Sequence, residues 1–134
     1  SLKATPSNFT TSTTGNDSVL IQLGDSEGLE TTNYTSSVAS LANGDANVNV
    51  SGSTSGIQLS QTLAAANAYS GNVVFTLEDA DTNTWTCHGN LYYASTSINV
   101  IAGSKSLSGT LTTVALVAVG GGTFDAGSAS ILYE

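Results

Sequence analysis

Methionine is absent from the 134 residues, cysteine and proline occur once each, and only two side chains carry a fixed positive charge. The single thiol, Cys87, rules out an intrachain disulfide, so a domain of this size has to be held by apolar burial and hydrogen bonding. Lys3 and Lys105 stand against ten carboxylates, for a net charge of −8. Affinity for nucleic acid comes mainly from Lys and Arg displacing counterions around phosphates, so nucleic acid is excluded as an expected partner. Anionic membrane surfaces are disfavoured on the same ground. With one histidine and one cysteine, metal sites built from two or three such ligands are excluded by count. No positively charged start followed by an apolar stretch is present, nor any run of about 18 apolar residues, so no signal peptide or membrane span is expected. The sequence opens at Ser1, the start expected of a mature product after loss of an initiator Met or of a leader.

Charge of either sign is scarce as well: 9% of residues, where about a quarter is usual. Serine and threonine take the space, with 20 Ser and 19 Thr beside 14 Gly. Thr favours strands over helices, and Ser favours caps and turns. The composition therefore points to β-structure with many turns.

Residues 1–16 hold the proline and little apolar mass; they are expected to form an extended arm, with Leu2 and Phe9 as its two partner-binding anchors. The domain proper is expected to span residues 17–134. Val19, Ile21 and Leu23 alternate as a half-buried strand. Residues 29–41 are ambiguous between helix and strand. Asn47 to Ser51 alternates cleanly. Ile57–Ala68 is the best helix candidate, with a strand at Ile57 and Leu59 as its alternative. The strongest local signal is a β-hairpin: Val73, Phe75 and Leu77 share one face, and Trp85, Cys87, Gly89 and Leu91 share another run's face after a polar link. Ser97–Ile101 reads as a strand. Leu107–Val119 reads as a long one whose apolar parity shifts midway, as at a bulge or in a strand buried on both faces. Ala129, Ile131 and Tyr133 mark the last strand. The expected architecture is all-β: a single-domain antiparallel β-sandwich, a jelly roll of about eight strands.

Each candidate for chemistry has a simpler structural reading. Cys87 and His88 are adjacent, and adjacent side chains on a strand point to opposite faces, so they cannot form a dyad. Asp79, Asp81 and Asn83 match the opening of a calcium loop, but Thr84 stands where that loop needs Gly and Asn90 where it needs a bidentate Glu. The acids of residues 78–81 read as a solvated hairpin tip. The C-terminal Gly120-Gly121-Gly122 lacks the Lys and helix of a phosphate loop. It reads as a bend, with Gly127 supplying conformational freedom, Asp125 capping backbone N–H groups and Phe124 plugging the end of the core. No catalytic residue, cofactor or metal is expected.

Leu107-Ser-Gly-Thr-Leu111-Thr-Thr-Val114, Gly122-Thr-Phe-Asp-Ala-Gly127 and Ile131-Leu-Tyr-Glu134, with the Trp85–Gly89 strand upstream, resemble a C-terminal signature of small β-rich structural proteins of tailed bacteriophages. Residues 1–70 take no part in the likeness. The resemblance implies a virion component made in the host cytoplasm, most naturally a jelly-roll cement or decoration protein on the outer capsid surface. Its partners would be a capsid shell protein and further copies of itself, as a homotrimer. The alternative is a carbohydrate-binding jelly roll, lectin-like or in a tail fibre, with Trp85, Tyr92 and Tyr93 as its stacking platform.

Overall fold

A computed structural model describes residues 2–4, 10–13, 17–61, 67–93 and 96–133, with backbone alone at residues 2–4, 10–13 and 125. The chain is all-β, and no helix occurs among the described residues. Strands are numbered in chain order. The larger sheet is built on a meander of β8 (Tyr69–Asp79), β9 (Thr84–Tyr93) and β10 (Ser97–Ser106). It continues from β10 to β5 (Thr35–Ala42) and ends at β6 (Asn49–Gly52). On its other side β8 pairs with β1 (Leu2–Ala4) and β2 (Thr10–Thr13), which pair in turn with β13 (Leu132–Tyr133) and β12 (Phe124–Ser128). The smaller sheet centres on β3 (Ser18–Asp25), flanked by β11 (Thr113–Val119) and by the short β4 (Gly28–Leu29) and β7 (Ile57–Gln58). All pairings are antiparallel, as a β-sandwich requires.

The two strands of the expected hairpin pair antiparallel. Val73 lies opposite Gly89, Phe75 opposite Cys87 and Leu77 opposite Trp85. Phe75, Val73, Cys87 and Leu91 are buried, with Val38 and Ile101 of the neighbouring strands. They meet Val19, Ile21, Leu23, Ile57 and Leu59 of the smaller sheet in one core. Toward the hairpin tip burial fades: Leu77 is exposed and Trp85 is half-buried, packed on the margin of the core.

Four expectations need correction. First, β3 is buried on both faces and not on one. Its second face is covered by residues 51–56: Gln22 Nε2 donates to the Ser55 carbonyl at 2.8 Å, and Gly56 lies so close to Leu20 that a Cβ there would meet the Leu20 side chain at 3.0 Å. Second, the helix candidate begins as strand β7, because Ile57 and Gln58 pair with Ile21 and Leu20; residues 62–66 lie outside the described residues. Third, Leu107–Val119 is not one strand. The chain leaves β10 in the larger sheet, buries Leu107, crosses over and resumes as β11 in the smaller sheet. The parity shift is that crossing.

The fourth correction concerns the arm. Leu2–Ala4 pairs with Val73–Phe75, and Thr11 pairs with Tyr69, so the backbone of these segments belongs to the chain's own larger sheet. A segment poor in apolar side chains is held there by backbone hydrogen bonds, a source of order that a count of apolar anchors leaves out.

Candidate interaction surface

The residues singled out in the sequence do not converge. Leu2 contributes backbone to β1, opposite Phe75 and Tyr133, and Phe9 lies outside the described residues. Gly120 and Gly121 make the expected bend, at φ 132° and 93°. Phe124, Asp125 and Gly127 are past it, inside strand β12, where the register shifts between Phe124 and Ala126. Gly127 has φ 132°, a conformation open to glycine at low cost. Phe124 does not plug the core: it is 40% exposed, because β12 lies at the sheet margin with no layer over it.

Cys87 and His88 point to opposite faces as the strand geometry demands, Cys87 buried and His88 exposed. Burial pushes the Cys87 thiol up to about 12, which removes it from nucleophilic chemistry at ordinary pH. At the hairpin tip Asp79 Oδ1 accepts from the Asp81 N–H at 2.9 Å, and that bond lowers the Asp79 carboxyl below its ordinary range. Among the described residues no three His, Cys, Asp or Glu side chains gather into a metal-holding group. The proposed stacking platform is not assembled. Trp85 and Tyr93 share the inner parity of β9, Tyr92 has the outer one, and Tyr93 is stacked on Tyr69 with ring centroids 5.2 Å apart.

A polar cluster around the buried Lys105, which the sequence reading passed over, links the sheets. Lys105, on β10, places its Nζ 2.5 Å from Glu30 Oε2 and 5.2 Å from the Tyr34 ring centroid. Glu30 also accepts from the Ser108 N–H at 2.7 Å and the Ser108 hydroxyl at 2.5 Å, and that hydroxyl reaches Asp25 Oδ2 at 3.2 Å. Burial works to raise the Glu30 carboxyl, but the bonds from Lys105 and Ser108 outweigh it and hold it at about 2. Tyr34 closes the group, its hydroxyl accepting from the Leu23 N–H at 2.8 Å and donating to the Glu30 carbonyl at 2.9 Å. The cluster is closed on itself and structural.

The outer face of the larger sheet is different. Directly opposed residues of antiparallel strands project to the same side. The strand register gives the rows Val50–Ala39–Val100–Asn90–Asn72 and Leu41–Ile98–Tyr92–Ser70. Next to them run Gly52–Ser37–Ala102–His88–Val74 and Thr35–Ser104–Thr86–Thr76. Across β6, β5, β10, β9 and β8 these four rows contain no Asp, Glu, Lys or Arg, in a chain of net charge −8; at their margins the same register sets Lys3 opposite Val74 and Asp79 opposite Thr84. Val50, Val100, Ile98, Leu41 and Tyr92 are all exposed on them. Alternation along the strands predicts such a face, but which strands adjoin, and therefore that the uncharged positions form one surface, is set by the pairing of β10 with β5.

Two concavities are lined mostly by apolar side chains. An apolar slot of about 170 Å³ lies between the sheets under Ile131, below the usual size of a ligand pocket. A shallow trough of about 420 Å³ lies at the end of the outer face, where the turn after β5 meets the start of β10.

No protein-family model matches this chain, and neither the curated proteins nor the solved structures contain a match to it.

Proposed function

We propose that this chain is a non-enzymatic virion structural protein: a decoration or cement protein of jelly-roll type that docks on the shell of a tailed bacteriophage through the outer face of its larger sheet. The observation that carries the reading is the uncharged, partly apolar middle of this face on an otherwise acidic molecule. Desolvating charge is a large cost of burying a protein surface, and the middle of this face, inside the marginal Lys3 and Asp79, has none to desolvate. Exposed apolar residues gathered on one side mark interaction sites. The remaining acids disfavour contact with nucleic acid. The C-terminal likeness to phage structural proteins points the same way.

The size of the face says how it would work. Five strands spaced about 4.8 Å apart, each contributing about 20 Å of length, give roughly 400 Å². That is about half of one side of a standard stable interface. One such face is a weak contact; several presented together by a homotrimer bind through avidity. The reading therefore joins the shell partner to self-association.

The test uses undecorated phage shells and the purified protein. Wild type is expected to co-sediment with shells to saturation. Ala102→Glu, which sets a carboxylate in the middle of the face without touching the core, is expected to stay folded and lose attachment. Undiminished attachment of Ala102→Glu would remove this face from the docking role.

A further inference from the structure

We propose that the trough at the end of the outer face is a binding site for a neutral saccharide. Its walls are Leu41, Tyr92 and Ile98 from three adjacent strands, with Asn43, Thr96 and Ser97 on the rim. Leu41, Ile98 and Tyr92 face one another across β5, β10 and β9, so their side chains form a continuous apolar floor. Tyr92 is 56% exposed and, unlike Tyr69 and Tyr93, has no aromatic partner for its ring among the described residues. The turns that carry the rim are held together by the Asn43 N–H donating to the Thr96 carbonyl at 2.7 Å.

These features select a ligand class. The lining contains no ionisable side chain other than the tyrosine, so a phosphate, carboxylate or cation would find no counter-charge there. A volume of about 420 Å³ suits a small molecule, but the site is too open to hold an apolar one by enclosure. A pyranose has the complementary chemistry: a C–H face that packs on an exposed aromatic ring, and hydroxyls that exchange hydrogen bonds with an amide and with two hydroxyls. Asn43 presents both a donor and an acceptor, and Thr96 and Ser97 present groups that do either. A site on turns at the end of a rigid sheet is also where loops most often carry recognition. This inference goes beyond shell docking: its floor is the Leu41–Ile98–Tyr92 row at the end of the same face, two rows from Ala102.

The experiment is a titration of the isotopically labelled protein with glucose, galactose, mannose and N-acetylglucosamine, following methyl and amide shifts by NMR. At least one sugar is expected to give saturable shifts confined to Leu41, Asn43, Tyr92, Thr96, Ser97 and Ile98. Tyr92→Ala is expected to weaken binding roughly tenfold, the value of one good aromatic contact. Asn43→Ala is expected to weaken it for the same sugar while the spectrum stays folded. Ala102→Glu is expected to keep the saccharide shifts even where it abolishes shell attachment, so the two readings fail separately. Absence of saturable shifts with all four sugars would overturn the proposal. So would equal affinity in Tyr92→Ala, or shifts produced by sialyllactose or an uncharged peptide alone.

Discussion

Lys105 and Glu30 form a cross-sheet ion pair, Nζ to Oε2 at 2.5 Å, in which the lysine side chain is 3% exposed and the glutamate 21%. The chain has two lysines, and it buries this one. A buried ammonium is tolerated because a carboxylate, an aromatic face and a hydroxyl-bridged network surround it.

Removing one partner of this pair leaves the other charge uncompensated. Glu30→Gln is expected to destabilise the domain by about 3 kcal/mol, the low end for a buried pair because Glu30 keeps some contact with water. Urea denaturation checks it. The double variant Lys105→Met with Glu30→Gln should recover part of the loss, since no charge is then stranded.

The same pair sets an acid limit. Glu30 has an ordinary value of 4.5 and is held at about 2 in the fold. A depressed carboxyl contributes stability that is present above pH 4.5 and lost as pH falls through 2. Wild type should lose stability across that window, and Glu30→Gln should show a shallower acid slope there. Equal slopes would mean that the pair carries no pH dependence.

Cys87 is raised from 9.0 to about 12 by burial. Above pH 9 the unfolded chain releases the thiol proton while the folded one retains it, so stability falls as pH rises from 9 toward 12. A thiol reagent at pH 8 should leave the native protein unlabelled and label it fully in urea. Rapid labelling of the native protein would place Cys87 outside the core.

Trp85 is half-buried, and its indole Nε1 is buried without a hydrogen-bond partner among the described residues. An unpaired buried donor costs about 1–3 kcal/mol. Trp85→Phe should therefore be close to neutral in stability, while Trp85→Ala should cost about 2–3 kcal/mol, less than a fully buried aromatic. Native emission should be blue-shifted from that of the unfolded chain.

Deleting residues 1–14 removes β1 and β2, which pair with one side of β8. The uncovered edge would be open to other chains, so the variant is expected to be less stable and to associate more readily. Amide exchange on the intact protein should show protection at residues 10–13. Free exchange there, with a stable deletion variant, would show that these segments do not hold the sheet.

Local pattern alone determined a good deal. Excess Thr and Ser, little charge and period-2 runs specified an all-β chain, the β8–β9 hairpin, and the opposite facing of Cys87 and His88. All of these depend on interactions between residues close in sequence, or on the alternation of a single strand. What alternation cannot encode is which strands become neighbours. The pairing of β10 with β5, which joins Leu41, Ile98 and Tyr92 into one trough, brings together residues more than fifty positions apart. The burial of β3 on both faces depended on residues 51–56 lying over it, and the Lys105–Glu30 pair on two sheets closing around it. The place of the N-terminal segments was decided by backbone groups that every sequence carries alike, so no side chain announced it. The sequence specified the strands, and tertiary structure decided which of their faces meet water, which meet each other, and which remain free to meet a partner.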